Sequence, residues 1–141
     1  MLFVLLWITT WACSPTRLAP NALPTNGLTD CSVRQVVHTS VGGEGLKLTL
    51  SNLHSDSTLE IESVFIARTQ TSCSSIDPES AKYLTFSGNQ SVRIMSESQV
   101  ISDPLDFHIS AGELLSITIH YGHVPTRMTG HGGSRTTSYI L

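Results

Sequence analysis

Three histidines in the last quarter of the chain are the first candidates for chemistry. His120, His123 and His131 lie within 12 residues of one another, and imidazole nitrogen is a common ligand of zinc and copper. On a continued strand His120 and His123 would point to opposite faces, so only a turn at Gly122 could bring them together. No Asp or Glu lies nearby to complete a ligand set. We therefore predict no metal or cofactor site, and keep a small histidine-dependent metalloprotein as a third alternative.

The sequence also lacks a clear pattern for a catalytic serine or a catalytic pair of carboxylates. The nucleophile-elbow pattern G-x-S-x-G is absent. Gly130-His131-Gly132-Gly133-Ser134 is similar to an oxyanion loop, but such a loop functions only with an elbow serine elsewhere in the chain. We interpret it as a flexible loop between strands. Asp103 and Asp106 flank a proline bend, where Asp is favoured for its turn geometry, and do not resemble a facing acid pair. We assign no catalytic residue.

Two covalent modifications are predicted. A Cys31–Cys73 disulfide would close a loop of about 40 residues and stabilise the fold by about 4 kcal/mol in the chain-entropy model. The alternative is two separate buried thiols. Asn89-Gln90-Ser91 matches the N-glycosylation acceptor pattern and follows Gly88 in a predicted turn.

The N-terminus predicts export. Residues 1–13 contain an apolar run that is too short for a bilayer and fits a secretory signal peptide, with Thr10 and Ala12 as the small residues before cleavage. Lipid attachment at Cys13 is the alternative, although Trp11 fits that pattern poorly. Residues 14–30 hold three prolines and predict an extended leader. We expect a secreted, extracellular protein with no stable membrane span.

Length and charge narrow the class further. A chain of 141 residues supports one domain, and its 40% apolar and 13% charged content does not suit a disordered chain. The net charge is −3, without a basic cluster. Nucleic acid is therefore not an expected partner, because phosphate binding needs concentrated Lys and Arg.

Alternating apolar residues predict strands through the rest of the chain. Leu46–Ser51 and Leu115–Tyr121 alternate strictly, and Leu59–Arg68 shifts its parity near Glu62-Ser63, which indicates a β-bulge. Predicted turns include Gly42–Gly45, a hairpin turn at Ser87–Gln90 and a Gly-rich loop over residues 122–135. Strands at intervals of about 10 residues predict an all-β antiparallel sandwich or jelly roll over residues 31–141, incomplete at its C-terminus.

Five pieces of sequence, in order, resemble one family. They are Arg34–Gly43, Leu46–Asn52, Leu84–Gly88, Ser102–Pro104, and Thr129–His131 followed by Gly133–Tyr139. This series is similar to the N-terminal region of extracellular, fungal-type GDSL-like lipase/acylhydrolases of the SGNH hydrolase superfamily, and it covers about 110 residues. The resemblance implies a β-sandwich ahead of an α/β hydrolase domain.

In that family the resemblance implies a serine nucleophile in a Gly-Asp-Ser block, oxyanion donors from Gly and Asn, and a base in an Asp-x-x-His block. Neither the Gly-Asp-Ser block nor the Asp-x-x-His block occurs in this chain, so no catalytic residue is carried over. We therefore expect a non-catalytic module of a secreted carboxyl-ester hydrolase that acts on polysaccharide or lipid esters. Its expected partner is the missing or downstream hydrolase domain.

The second alternative is a stand-alone carbohydrate-binding β-sandwich, a class that presents exposed aromatic side chains to sugars. We expect most of the aromatic residues of the strands to lie in the core instead. The candidates are Phe65, Tyr83, Phe86, Phe107, Tyr121 and Tyr139.

Overall fold

The predicted all-β fold is confirmed. The structure is a computed structural model that describes residues 6–24, 27–70, 74–132 and 137–141. Its strands form antiparallel sheets arranged as a single sandwich-like domain, and its helical segments are single 3-10 turns at Pro20–Ala22 and Pro78–Ser80. Within the described ranges, no helix has the length and hydrophobicity that crossing a bilayer requires.

The strands follow the alternating segments closely. The first six are β1 (Thr16–Arg17), β2 (Ser32–His38), β3 (Gly43–Leu46), β4 (Thr49–Ser51), β5 (Leu59–Arg68) and β6 (Lys82–Tyr83). The next six are β7 (Val92–Ile94), β8 (Gln99–Ile101), β9 (Leu105–Ile109), β10 (Leu114–Tyr121), β11 (Thr129–Gly130) and β12 (Ser138–Ile140).

The main sheet has the order β12-β2-β10-β5, and both β6 and β7 pair with the far edge of β5. Strand β10 lies at its centre and makes long antiparallel ladders with β2 and β5. The ladder to β5 shifts register between His120 and Tyr121, which leaves Glu62 as the extra residue. The predicted bulge at Glu62-Ser63 is confirmed.

The second layer is a ribbon. Strand β3 pairs with β9 and β4 pairs with β8, and the two halves join where the Ser102 amide donates to the Leu48 carbonyl at 2.9 Å. The Ser102 hydroxyl in turn accepts from the Leu48 amide at 3.0 Å. Asp103-Pro104 lies at the bend between β8 and β9, because proline cannot donate to a continuous ladder.

The main core lies between the sheet and the ribbon. Val64, Ile66 and Ile117 come from the sheet, and Leu46 and Phe107 come from the ribbon. The apolar residues of one parity therefore meet face to face, as the alternation predicts. At one end a smaller cluster of Leu28, Val33 and Met128 packs under the segment before β2.

Three local predictions are wrong. Gly43, Glu44 and Gly45, expected in a turn, belong to strand β3 instead. The predicted hairpin has the expected turn, a bridge between Phe86 and Asn89, but β6 and β7 both pair with β5 and not with each other. The loop over residues 122–135 contains β11, which is ordered because β1 supplies a partner strand.

The N-terminal segment lies along the domain. The Thr10 hydroxyl donates to the Val41 carbonyl at 2.8 Å, and Thr16–Arg17 forms the ladder with Thr129–Gly130. Leu28 is buried in the smaller cluster.

Candidate ligand-binding face

One line of side chains crosses the outer face of the main sheet. Tyr139, Arg34, Thr118, Phe65 and Tyr83 are successive cross-strand partners on β12, β2, β10, β5 and β6. Residues that are directly opposite each other in a ladder point to the same face. These five side chains therefore form one row, which we call the aromatic row.

Hydrogen bonds and ring contacts hold the side chains in the middle of the aromatic row in place. The Arg34 guanidinium donates from Nε to the Thr118 hydroxyl at 2.9 Å and from Nη1 to the Ser74 carbonyl at 2.6 Å. Its central carbon lies 5.9 Å from the centre of the Phe65 ring, within the range of a cation–π contact. The Phe65 and Tyr83 rings follow at 5.6 Å between centres, tilted by 57°. Tyr83 is 51% exposed, so this end of the row is open to solvent.

A second line on the same face is entirely polar. Ser63 pairs with His120, and His120 pairs with Ser32. The Ser32 hydroxyl lies 3.0 Å from His120 Nδ1, and all three residues are half-buried. This line, which we call the polar row, lies two residues along each strand from the aromatic row.

The opposite flank of the aromatic row is closed. Ala67 and Ser116 are fully buried although they belong to the outer face. The Thr69 and Ser116 hydroxyls lie 2.9 Å apart, and the Ser74 carbonyl accepts a hydrogen bond from Arg34. Most of the aromatic row and the polar row are accessible, although Thr118 is buried, and a wall of Thr69 and Ser74 bounds them on one side. Beyond that wall, Leu114 and His38 are exposed on the same face.

The Ser32–His120 contact is the nearest approach to a nucleophile–base pair. A working triad also needs a group that orients the base and donors for an oxyanion. Among the described residues, no carboxylate contacts the His120 ring. The pair is therefore a polar surface contact in this structure.

The structure separates the three neighbouring histidines. His120 belongs to the polar row, His123 is exposed, and His131 Nδ1 lies 2.8 Å from the Ser14 carbonyl. In the described part of the chain, no group of three or more His, Cys, Asp or Glu side chains is arranged to hold a metal ion.

Asp103 organises a turn. Its carboxylate accepts from the Gly88 amide at 2.8 Å, the Ser87 amide at 3.1 Å and the Thr85 hydroxyl at 2.7 Å. These donors, the Gly88 amide first, hold the pKa of Asp103 below its ordinary value. Ser87 and Gly88 both have positive φ, 51° and 83°, so the carboxylate supports a turn of strained backbone. Asp106 is exposed on β9.

The two predicted modifications lie in different surroundings. Asn89 and the rest of its acceptor pattern are exposed, immediately after the Asp103-anchored turn. Cys31 is a half-buried free thiol, whereas Cys73 lies outside the described residues. The Cys31–Cys73 bridge therefore stays a prediction.

The aromatic residues divide between core and surface. Phe86 and Phe107 are buried in the main core, as expected. Burial raises the pKa of Tyr121 from 10.0 to about 12, so its hydroxyl, already neutral at pH 7, stays neutral in more alkaline solution. Phe65, Tyr83 and Tyr139 instead belong to the outer face, where the expectation of a core position is wrong.

A groove lies at the smaller cluster. Its volume is about 390 Å³, and Leu18, Leu23 and Met128 line it beside Arg17 and Arg127. Arg127 pairs with Asp56 at 3.3 Å. No polar side chain is buried there without a partner, so the groove has no visible ligand chemistry.

No protein-family model and no curated protein matches this chain.

The aromatic row was not predicted from the sequence, because its members lie up to 105 positions apart and meet only through strand register. The signal that could have found Phe65 is its parity, since Val64 and Ile66 on either side point inward.

Proposed function

We propose that this chain is a non-catalytic N-terminal module of a secreted SGNH/GDSL-type carboxyl-ester hydrolase. Its role there is to shape substrate access or to pack against the hydrolase domain. The substrates of the whole enzyme would be polysaccharide or lipid esters. Export through the secretory pathway fits the apolar N-terminal run and the exposed acceptor pattern at Asn89.

The observation that carries the proposal is the way the five resembling pieces meet. The first and last pieces are neighbouring strands, with Arg34 opposite Tyr139. The second and fourth are joined by the two hydrogen bonds between Leu48 and Ser102. The third and fourth are joined by the Asp103 carboxylate. The five pieces therefore lie in one continuous domain, in agreement with a resemblance that covers about 110 residues.

The residue types in these pieces also have clear physical reasons. Buried Thr39 donates to the carbonyls of Ser110 and Glu113 and accepts from the Glu113 amide, each at 3.0 Å. Gly42 lies so close to β9 that a Cβ atom there would stand 2.5 Å from the Ile109 carbonyl oxygen. The pieces are thus junctions of a β-sandwich, the architecture that the resemblance implies.

The non-catalytic part of the proposal is tested with the purified full chain and a simple ester such as p-nitrophenyl acetate. We expect the chain to hydrolyse it no faster than the Ser32→Ala and His120→Ala variants, because the pair lacks an orienting carboxylate. Turnover that disappears in Ser32→Ala would show that the chain carries its own nucleophile and would overturn the proposal.

A further inference from the structure

We propose that the outer face of the main sheet binds a polysaccharide chain. The Tyr83 and Tyr139 rings at the two ends of the aromatic row would stack against the apolar faces of pyranose rings, with Arg34 and Phe65 between them. The polar row would bind the hydroxyl groups of the sugars. This inference does not rest on the proposed function, since the face would bind a glycan with or without a hydrolase domain beside it.

The dimensions of the face suit an extended chain. The row lies on five neighbouring strands, from Tyr139 to Tyr83, so it crosses four inter-strand steps, about 19 Å in all. That length accommodates a short run of pyranose units rather than one small molecule. The wall beside Ser74 closes one flank, and the polar row lies along the other. A bound chain would therefore run across the strands, along the aromatic row.

The chemistry of the two rows matches the two sides of a sugar. One face of a pyranose ring exposes C–H groups, and an aromatic ring presents its negative face to them. The edges of the ring carry hydroxyl groups, which need both donors and acceptors. Ser63, His120 and Ser32 offer both kinds of group, because a hydroxyl or a neutral imidazole can donate and accept.

The aromatic row is also held in place before any ligand arrives. Arg34 is fixed by Thr118 and the Ser74 carbonyl, and the Phe65 ring lies between Arg34 and Tyr83. A surface that is already ordered loses less conformational entropy on binding. The remaining guanidinium donors of Arg34 could also bind a carboxylate on a uronic acid unit.

Other macromolecules fit this face less well. Nucleic acid needs clustered positive charge, and the chain has a net charge of −3. A protein partner would be favoured by exposed aliphatic side chains, and the exposed Val41, Met95 and Ile101 lie outside the two rows. The accessible rows themselves contain aromatic rings, one guanidinium and hydroxyl or imidazole groups.

The test measures binding of the full chain to xylan, cellulose and polygalacturonate, by affinity electrophoresis for the soluble polymers and by pull-down for cellulose. The informative variant is Tyr83→Ala, since Tyr83 is largely exposed and its loss should leave the fold intact. Tyr83→Phe keeps the ring, and Met95→Ala removes an exposed apolar side chain elsewhere. Circular dichroism and the thermal midpoint confirm that each variant is folded.

We expect the wild-type chain to bind at least one of the three polymers, and Tyr83→Ala to bind it about ten-fold more weakly, the effect of roughly one lost stacking contact. Tyr83→Phe and Met95→Ala should bind like the wild type. Binding to polygalacturonate alone, weakened by salt, would assign the site to uronate chains through Arg34.

Two results would overturn the inference. The first is no retention of the folded wild-type chain on any of the three polymers. The second is binding that Tyr83→Ala leaves unchanged, which would place the glycan on another surface. Neither result would bear on the hydrolase assignment, because that depends on the sequence pieces and their contacts.

Discussion

At the scale of single residues, buried or clamped polar side chains set the geometry of the turns. Asn52 is 1% exposed, and its amide nitrogen donates to the carbonyls of Ser57, Ile94 and Met95. Its amide oxygen accepts from the Ser55 hydroxyl. One side chain therefore joins the loop after β4 to the end of β7.

Replacing Asn52 by Ala should destabilise the fold by about 3 kcal/mol, because buried carbonyl groups would lose their donor and a cavity would remain. Urea denaturation followed by circular dichroism measures the change in the free energy of unfolding. The control is Asn21→Ala, at an exposed asparagine of a 3-10 turn, which should change that free energy by less than about 0.5 kcal/mol. Equal effects of the two substitutions would contradict the assignment.

The Asp103 carboxylate should contribute to the free energy of unfolding in a way that depends on pH. Hydrogen bonds to the carboxylate lower the pKa of Asp103 in the folded state. The stabilisation is therefore fully present above the unfolded value, about 4, and is lost as the pH falls through the folded value. We expect Asp103→Asn to unfold more easily than the wild type at pH 7, with the difference shrinking as the pH falls below about 4.

The measurement is urea denaturation of both proteins across that pH range. Asp106→Asn, at an exposed carboxylate three positions further on, is the matched control. A difference between Asp103→Asn and the wild type that stayed constant with pH would mean that the carboxylate charge does not support the Ser87-Gly88 turn.

Single-residue roles were only partly predictable. Asp103 was correctly interpreted as a residue of turn geometry, because Asp beside Pro104 has a local explanation. Its partners Thr85 and Gly88 could not be predicted, since they come from another part of the chain. The expectation that most of the aromatic residues lie in the core does not hold for Phe65, Tyr83 and Tyr139, because hydrophobicity alone does not state which face of a sheet is covered.

At the scale of elements, the junction between the two layers depends on close backbone contact. Gly42 begins the connection from β2 to the ribbon, and its α-carbon faces the Ile109 carbonyl and the Ala111 amide. Gly43, the next residue, has only a distant neighbour at 3.8 Å. Two adjacent glycines therefore differ sharply in the space around them.

We predict that Gly42→Ala destabilises the fold by about 2 kcal/mol, because a Cβ atom would force the backbones of two strands apart. Gly43→Ala should change the free energy of unfolding by less than about 0.5 kcal/mol. Thermal or urea unfolding of the two variants side by side gives the comparison. If Gly43→Ala were the more damaging substitution, the approach of β9 to Gly42 would be wrong.

Strand positions were predictable where alternation is strong, and pairing was not. Leu59–Arg68 was predicted to the residue and Leu115–Tyr121 within one residue, because apolar and polar side chains alternate there. The pairing of both β6 and β7 with one edge of β5 was not predicted. The two strands flank a turn, and that pattern favours a simple hairpin. Which strand is the neighbour depends on contacts between distant segments, and local propensity does not encode them.

At the scale of the whole molecule, export through the secretory pathway should lead to N-glycosylation of an exposed turn. Asn89, Gln90 and Ser91 are all exposed, so the acceptor pattern is accessible to the glycosylation machinery. We expect the chain, when secreted from a eukaryotic host, to carry an N-glycan that peptide N-glycosidase removes, with a matching loss of mass.

The variants Asn89→Gln and Ser91→Ala should each abolish that glycan, because both break the acceptor pattern, whereas Gln90→Ala should keep it. Intact-mass spectrometry of the secreted proteins provides the measurement. Secreted wild-type chain that shows no mass loss after enzyme treatment would refute glycosylation at this turn.

The fold class followed from composition and alternation, whereas the proposed function draws on how distant pieces come together. Arg34 and Tyr139 stand next to each other on neighbouring strands, and Ser102 and Asp103 connect three further segments. Arg34 and Tyr139 also belong to the aromatic row. The contacts that define the fold therefore also shape the candidate ligand-binding face.

The most direct test of the hydrolase assignment is the sequence of full-length transcripts beyond the codon for Leu141. We predict an open frame that continues into a Gly-Asp-Ser block and, further on, an Asp-x-x-His block. Transcripts that consistently stop after Leu141, or continue into sequence without either block, would contradict the assignment.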